Sequence, residues 1–162
     1  MQVQEQGSAS LDVKNVSRVR MNAQSYFTIF IGAEMFGISV ADTQTIFRVQ
    51  KVTPIPHAPK DIVGLVNIRG KIVTAVSLRR RLRLEDAENF DNPLAIGMEH
   101  KGENFALMVD QVGDVLSLDD TMRIPTPPHF DPVRASLMSG LYRVNDFLIP
   151  ALDVGAVFDF TK

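Results

Sequence analysis

GLVNIRGKIVTAVSLRRRL, residues 64–82, alternates apolar and polar residues on either side of a glycine. Val66, Ile68, Ile72 and Val76 fall on one face at period two, while Asn67, Arg69 and Lys71 point the other way, with Gly70 between them as the turn. Past the turn Val73 and Ala75 make the second face apolar too, the pattern of a strand covered on both sides. The stretch therefore reads as a β-hairpin with one exposed polar spot. Leu78 and Leu82 then repeat at i,i+4 among Arg79, Arg80, Arg81 and Arg83, which predicts a short helix with one apolar stripe. Ser77 is its natural cap.

The arrangement recurs further along the chain, and self-similarity at this length is the mark of duplicated supersecondary units. GLYRVNDFLIPALDVGAVF, residues 140–158, lies on residues 64–82 without a gap: Gly140 on Gly64, Val144 on Ile68, Leu148 on Ile72, Ala151 on Ala75, Leu152 on Val76, Asp153 on Ser77 and Phe158 on Leu82. Upstream, Phe105, Leu107 and Val109 lie on Phe36, Ile38 and Val40, and Pro125-x-Pro127 echoes Pro54-x-Pro56. The preserved order points to two related small β units. Each offers about five short strands and one short helix, the spacing of barrels or sandwiches. Two small barrels side by side are expected, all-β with short helices. Units this small share a core, and exchange of a terminal strand between them is expected.

The remaining segments complete the plan. Residues 1–24 are mostly polar and are read as a flexible tail. Phe27, Ile29 and Ile31 alternate along a first strand, Gly32-Ala33-Glu34 turns, and Phe36, Ile38 and Val40 form a second. Asp42 is placed to cap a helical turn through Gln44, after which an extended pattern resumes at Ile46. Pro54-Ile55-Pro56 enforces extended, ladder-breaking backbone. The ordered domain runs from 25 to 162: a first unit at about 25–84, the polar linker LEDAENFDN at 84–92, and a second unit at about 93–160.

Composition limits function. The 162 residues carry a net charge of −2 and a pI near 5.9, so nothing attracts nucleic acid or anionic lipid globally. The absence of cysteine removes disulfides, thiolate nucleophiles and Cys-ligated metals. No run approaches the ~20 apolar residues of a membrane span, and the N-terminus shows no signal pattern, so a soluble intracellular protein is expected.

At this point the residues carry a resemblance. VTPIPHAPKDIVGLVNIRGKIVTAVSLRRRL resembles the core signature of the CheW family of chemotaxis coupling proteins, above all in Asn67-Ile68-Arg69-Gly70. FALMVDQVGDVLSL and GLYRVNDFLIPALDV are similar to further segments of that family, so the likeness covers most of the chain from Tyr26 to Phe160. The resemblance implies two five-stranded SH3-like β-barrels packed around a shared hydrophobic core, in a cytoplasmic, non-enzymatic adaptor without cofactor. It further implies two partners, the regulatory domain of the histidine kinase CheA and the cytoplasmic tip of a chemoreceptor. Recruitment to membrane receptor arrays, with other CheW-like domains assembling alongside, goes with these partners; insertion into the membrane and nucleic-acid binding do not. By the same resemblance Asn67, Arg69 and Gly70 sit near a receptor-binding groove with Val40, Thr45 and Ile46. A guanidinium beside apolar positions is the composition of an interface anchor. Three positions depart from the family pattern: Thr45 where it has Glu, Thr74 where it has Pro and Ser77 where it has Asp. The first bears on receptor contact; the third keeps a capping side chain, as Asp153 does in the second half.

A small-barrel module could bind RNA or another anionic ligand through the arginines of residues 79–83, although no interleaved aromatics offer stacking and Glu85, Asp86 and Glu88 balance the charge. His57, His100 and His129 lack the spacing of a metal site. Gly70-Lys71 lacks the preceding Gly and following Ser or Thr of a phosphate loop. Asp110, Asp114, Asp119 and Asp120 read as turn and surface charges rather than paired catalytic carboxylates. Gly64 and Gly70 are turn or close-packing residues.

Overall fold

The computed structural model describes residues 23–87 and 93–160. Residues 1–22 of the expected tail, residues 88–92 of the expected linker, and residues 161–162 lie outside the described part.

The hairpin of residues 64–82 is made of β4 (Ile62–Ile68) and β5 (Lys71–Ser77). The two residues of its turn, Arg69 (φ +52°) and Gly70 (φ +85°), are both left-handed, the geometry whose twist suits paired strands. Asn67 stabilises it: its Oδ1 accepts the Gly70 N–H at 2.9 Å. Such a turn overturns the simple face count. Ile68 pairs with Lys71, Asn67 with Ile72 and Val66 with Val73, and paired residues share a face. Even-numbered residues of one strand therefore stand beside odd-numbered residues of the other. Ile72 lies beside Asn67 and is 62% exposed instead of sharing the face of Val66 and Ile68. Arg69 is a residue of the turn, not of a strand.

A second hairpin, β10 (Met138–Val144) and β11 (Phe147–Leu152), repeats the first down to its register. Gly64 pairs with Ala75 and Gly140 with Ala151, each beside a shift in register. Asn145 (φ +55°) takes the left-handed place of Arg69. One-turn helices follow both hairpins, α1 (Leu78–Arg81) and, beyond α2 (Pro132–Leu137), α3 (Val154–Val157). The Ser77 hydroxyl accepts the Arg80 N–H at 3.2 Å, and Asp153 Oδ1 accepts those of Gly155 and Ala156. Such caps satisfy N–H groups that a helix start leaves unpaired.

The other strands are β1 (Gln24–Ile31), β2 (Glu34–Ser39), β3 (Thr43–Arg48), β6 (Leu94–His100), β7 (Glu103–Val109), β8 (Gln111–Leu118) and the two-residue β9 (Arg123–Ile124). They form a six-stranded sheet in the order β8-β1-β2-β11-β10-β9 and a five-stranded sheet in the order β3-β6-β7-β5-β4. Each sheet thus takes one hairpin from each half of the chain. The joins are short parallel pairings in which small buried residues face one another, Gly37 opposite Ala151 in one and Ala106 opposite Ala75 in the other. No helical turn runs through Gln44: the turn is a 3-10 helix, Val40–Asp42, capped by the Ser39 hydroxyl, and Thr43 already starts β3.

The largest core lies between the sheets. Ile29, Phe36 and Ile38 of one sheet meet Ile96, Leu107 and Val76 of the other, with Leu78, Leu82 and Phe158 from the helices. Burial of such side chains supplies ~1.5–3 kcal/mol each. Phe105 and Phe158 stack with ring centroids 4.4 Å apart. Smaller clusters form apart from it on each sheet, Val66, Val73, Ala95 and Met108 on one and Tyr26, Leu118, Tyr142 and Ala151 on the other. Faces of β5 therefore look into two different cores. Neither ladder closes into a full barrel among the described residues: β8 and β9, like β3 and β4, stay at the edges. Thr53 makes only an isolated bridge to Leu65 and β9 stops at Ile124, because Pro54 and Pro125 follow and carry no N–H for a ladder.

Candidate protein-binding site

The β4–β5 turn holds Arg69 at the mouth of the five-stranded sheet. There a pocket of about 190 Å³ is lined by Thr45, Ile68, Arg69, Lys71, Met98 and Phe105 among others. Its floor is apolar and its rim carries two cations. Neither Arg69 nor Lys71 is in an ion pair among the described residues. The methyl of Thr45 packs against Gly97, where any Cβ would collide with it.

The six groove candidates separate into three places. Thr45 and Arg69 share the pocket. Asn67 and Gly70 shape the turn that presents Arg69. Ile46 lies one residue along β3, on the opposite face from Thr45, paired with Ile96 and 37% exposed. Val40, in the 3-10 turn, lines a different and larger cleft of about 830 Å³ with Tyr26, Asp42, Leu152 and Asp153. Gly64 packs where a side chain would run into the Thr53 carbonyl.

Sequence reasoning missed four exposed apolar side chains: Ile72 at 62%, Val115 at 52%, Phe147 at 59% and Leu148 at 45%. The repeat holds the signal, since Leu148 matches Ile72. Val115, which pairs with Phe27, occupies the place that Ile46, paired with Ile96, has in the other sheet.

The arginines of residues 79–83 are engaged. Arg79 grips Asp110 with both ends of its fork, Nε to Oδ1 at 3.0 Å and Nη2 to Oδ2 at 2.5 Å. Arg80 holds Asp86 in the same way at 3.0 and 2.9 Å. Arg81 pairs with the buried Asp61 at 3.1 Å and Arg83 reaches it at 3.5 Å. These hydrogen bonds from Arg79 and Arg80 hold the carboxyls of Asp110 and Asp86 below the ordinary carboxylate range, and the Arg134 N–H does the same for Asp131. Of the three balancing carboxylates expected from sequence, Asp86 pairs with Arg80 and Glu88 lies outside the described residues; Asp61 and Asp110 come from elsewhere in the chain. Among the described residues no three potential metal ligands gather at one place, and no helix is long and apolar enough to cross a membrane.

Fold and site together define a class: a two-sheet β scaffold that displays apolar and cationic side chains around its edges and hairpin tips. The chain belongs to the CheW-like family, whose model, the CheW-like domain, matches residues 25–162. It is 27% identical over 128 residues to the "Chemotaxis protein CheW" of Rhizobium meliloti, covering 79% of this chain and 83% of that protein. It is 27% identical over 131 residues to the protein of the same name from Klebsiella aerogenes, covering 81% and 79%. Its fold matches the crystal structure of the scaffolding protein TtCheW from Thermoanaerobacter tengcongensis with a TM-score of 0.75 at 23% identity, over 85% of this chain and 94% of that one.

Proposed function

We propose that the protein is a chemotaxis adaptor that couples chemoreceptors to the histidine kinase CheA by binding, without chemistry of its own. The observation that carries this reading is membership of the CheW-like family across nearly the whole described chain. The adaptor holds the regulatory domain of CheA and the cytoplasmic receptor tip in a fixed geometry, alongside other CheW-like domains in an array. A change in the receptor then biases the kinase between conformations. Arg69, with Thr45 beneath it, meets a carboxylate-bearing, partly apolar surface of the receptor, and Val40 and Ile46 add apolar contact. The alternative, anion binding through residues 79–83, is disfavoured because those four guanidiniums already hold carboxylates of this chain.

Calorimetry at low and high salt tests the proposal with a CheA regulatory domain and a receptor-tip fragment. Kinase binding is expected to tolerate salt and survive Arg69→Ala. Receptor binding is expected to weaken roughly 30-fold in that variant, about 2 kcal/mol at an interface anchor. Binding to neither partner would overturn the adaptor reading; receptor binding untouched by Arg69→Ala would overturn the site.

A further inference from the structure

Pairing in the first hairpin sets Lys71 apart from Asn67. Lys71 lies opposite Ile68 and Val73 opposite Val66; paired residues share a face, and alternate residues of a strand return to it. Lys71 therefore continues the row of Val73 and Ala75, the side of β5 that packs into one of the smaller core clusters. This cation at the end of an apolar row lines the 190 Å³ pocket together with Arg69. The pocket's apolar lining includes Met98 and Phe105, buried residues of the main core, and Val73 of the smaller cluster. No described residue lining it is Asp or Glu, and neither cation is in an ion pair among the described residues.

Size and charge together select a ligand. The volume lies below the ~300 Å³ at which pockets begin to hold drug-sized molecules, so one small group fills it. A guanidinium takes a carboxylate through paired hydrogen bonds, a lysine adds a compact positive charge, and an apolar group beside the carboxylate is removed from water by the lining. A bare inorganic anion leaves that lining wet, and a neutral hydrophobe leaves both cations unanswered. We infer that the pocket binds a small monocarboxylate, one aromatic ring or branched chain on a short acid, with Arg69 and Lys71 on the carboxylate and Met98 and Phe105 against the apolar part. Competition between such an acid and a receptor for Arg69 rests on the function proposed above; binding of the acid does not.

Methionine-methyl NMR of the full chain tests the inference, because Met98 lines the pocket and Met98→Leu assigns its signal. The probe is phenylpropionate, with phenylpropanol and acetate as controls that lack the charge and the ring. The acid is expected to move the Met98 signal saturably and to bind roughly tenfold tighter than either control. Arg69→Gln and Lys71→Gln are each expected to weaken the acid roughly fivefold and to leave the alcohol as it was. Equal binding of acid and alcohol overturns the inference. Acid binding indifferent to Lys71→Gln overturns it too, as does a titration that leaves the Met98 signal still. A receptor-tip fragment that fails to bind leaves these results standing, since the titration contains only protein and acid.

Discussion

Arg79 of α1 and Asp110, between β7 and β8, meet in a two-pronged ion pair, and the same Asp110 Oδ2 accepts the Gly32 N–H at 2.6 Å. Gly32 belongs to the turn between β1 and β2 in the six-stranded sheet, whereas α1 leaves the five-stranded one. One carboxylate thus ties the two sheets together outside their shared core.

Folding lowers the pKa of Asp110, chiefly through the Arg79 hydrogen bond. Its contribution is therefore complete above the unfolded value, near pH 4, and is lost as pH falls through the lower folded value. Urea unfolding at several pH values is expected to show Asp110→Asn less stable than the parent by ~1.5 kcal/mol at pH 7. The gap narrows below about pH 4, where the parent's carboxylate protonates as well.

Neighbouring arginines of α1 differ in what they hold. Arg81 neutralises Asp61, which is 7% exposed, and also donates to the Ala156 carbonyl at 2.8 Å while standing over the Phe160 ring. Arg81→Ala strands a buried carboxylate with only the longer Arg83 contact left, a loss of ~3 kcal/mol. Arg80→Ala breaks a surface pair and costs less than ~1 kcal/mol. Thermal unfolding separates them, at about 2–4 °C per kcal/mol for a chain of this size.

Gly64 and Gly70 are expected to respond unequally to alanine. Gly64 has φ +154° and an added Cβ would strike the Thr53 carbonyl, across the bridge that anchors residue 53. Gly70 has φ +85° with open space around it. Denaturant midpoints should place Gly64→Ala ~3 kcal/mol below the parent and Gly70→Ala only ~1 kcal/mol below.

Ile46 is exposed on the edge strand β3. Ile46→Asp is expected to leave the unfolding midpoint within ~0.5 kcal/mol while weakening receptor or kinase binding tenfold or more, the signature of a contact residue. Binding and unfolding measured on one preparation check both halves.

Much of this was legible in the residues. The hairpins, their helices and the repeat follow from local rules: period-two alternation, glycine in a turn, a hydroxyl or carboxylate before a short apolar stripe. Asn67-Ile68-Arg69-Gly70 carried the family. The site was legible only in part. Thr45 and Arg69 meet in one pocket, yet Val40 lies at another cleft and Ile46 on the opposite face of β3, because neighbouring residues in a strand point opposite ways.

That two like hairpins form, and where each turns, is written in local sequence, since those choices depend on neighbours a few residues apart. That each sheet takes one hairpin from either half, that Ile72 faces water, and that the arginines of α1 hold Asp61 and Asp110 emerge only when the chain is folded. Sheet order, face and ion pairing bring together residues far apart in the chain, and no local pattern records which distant partner a strand edge or a guanidinium meets.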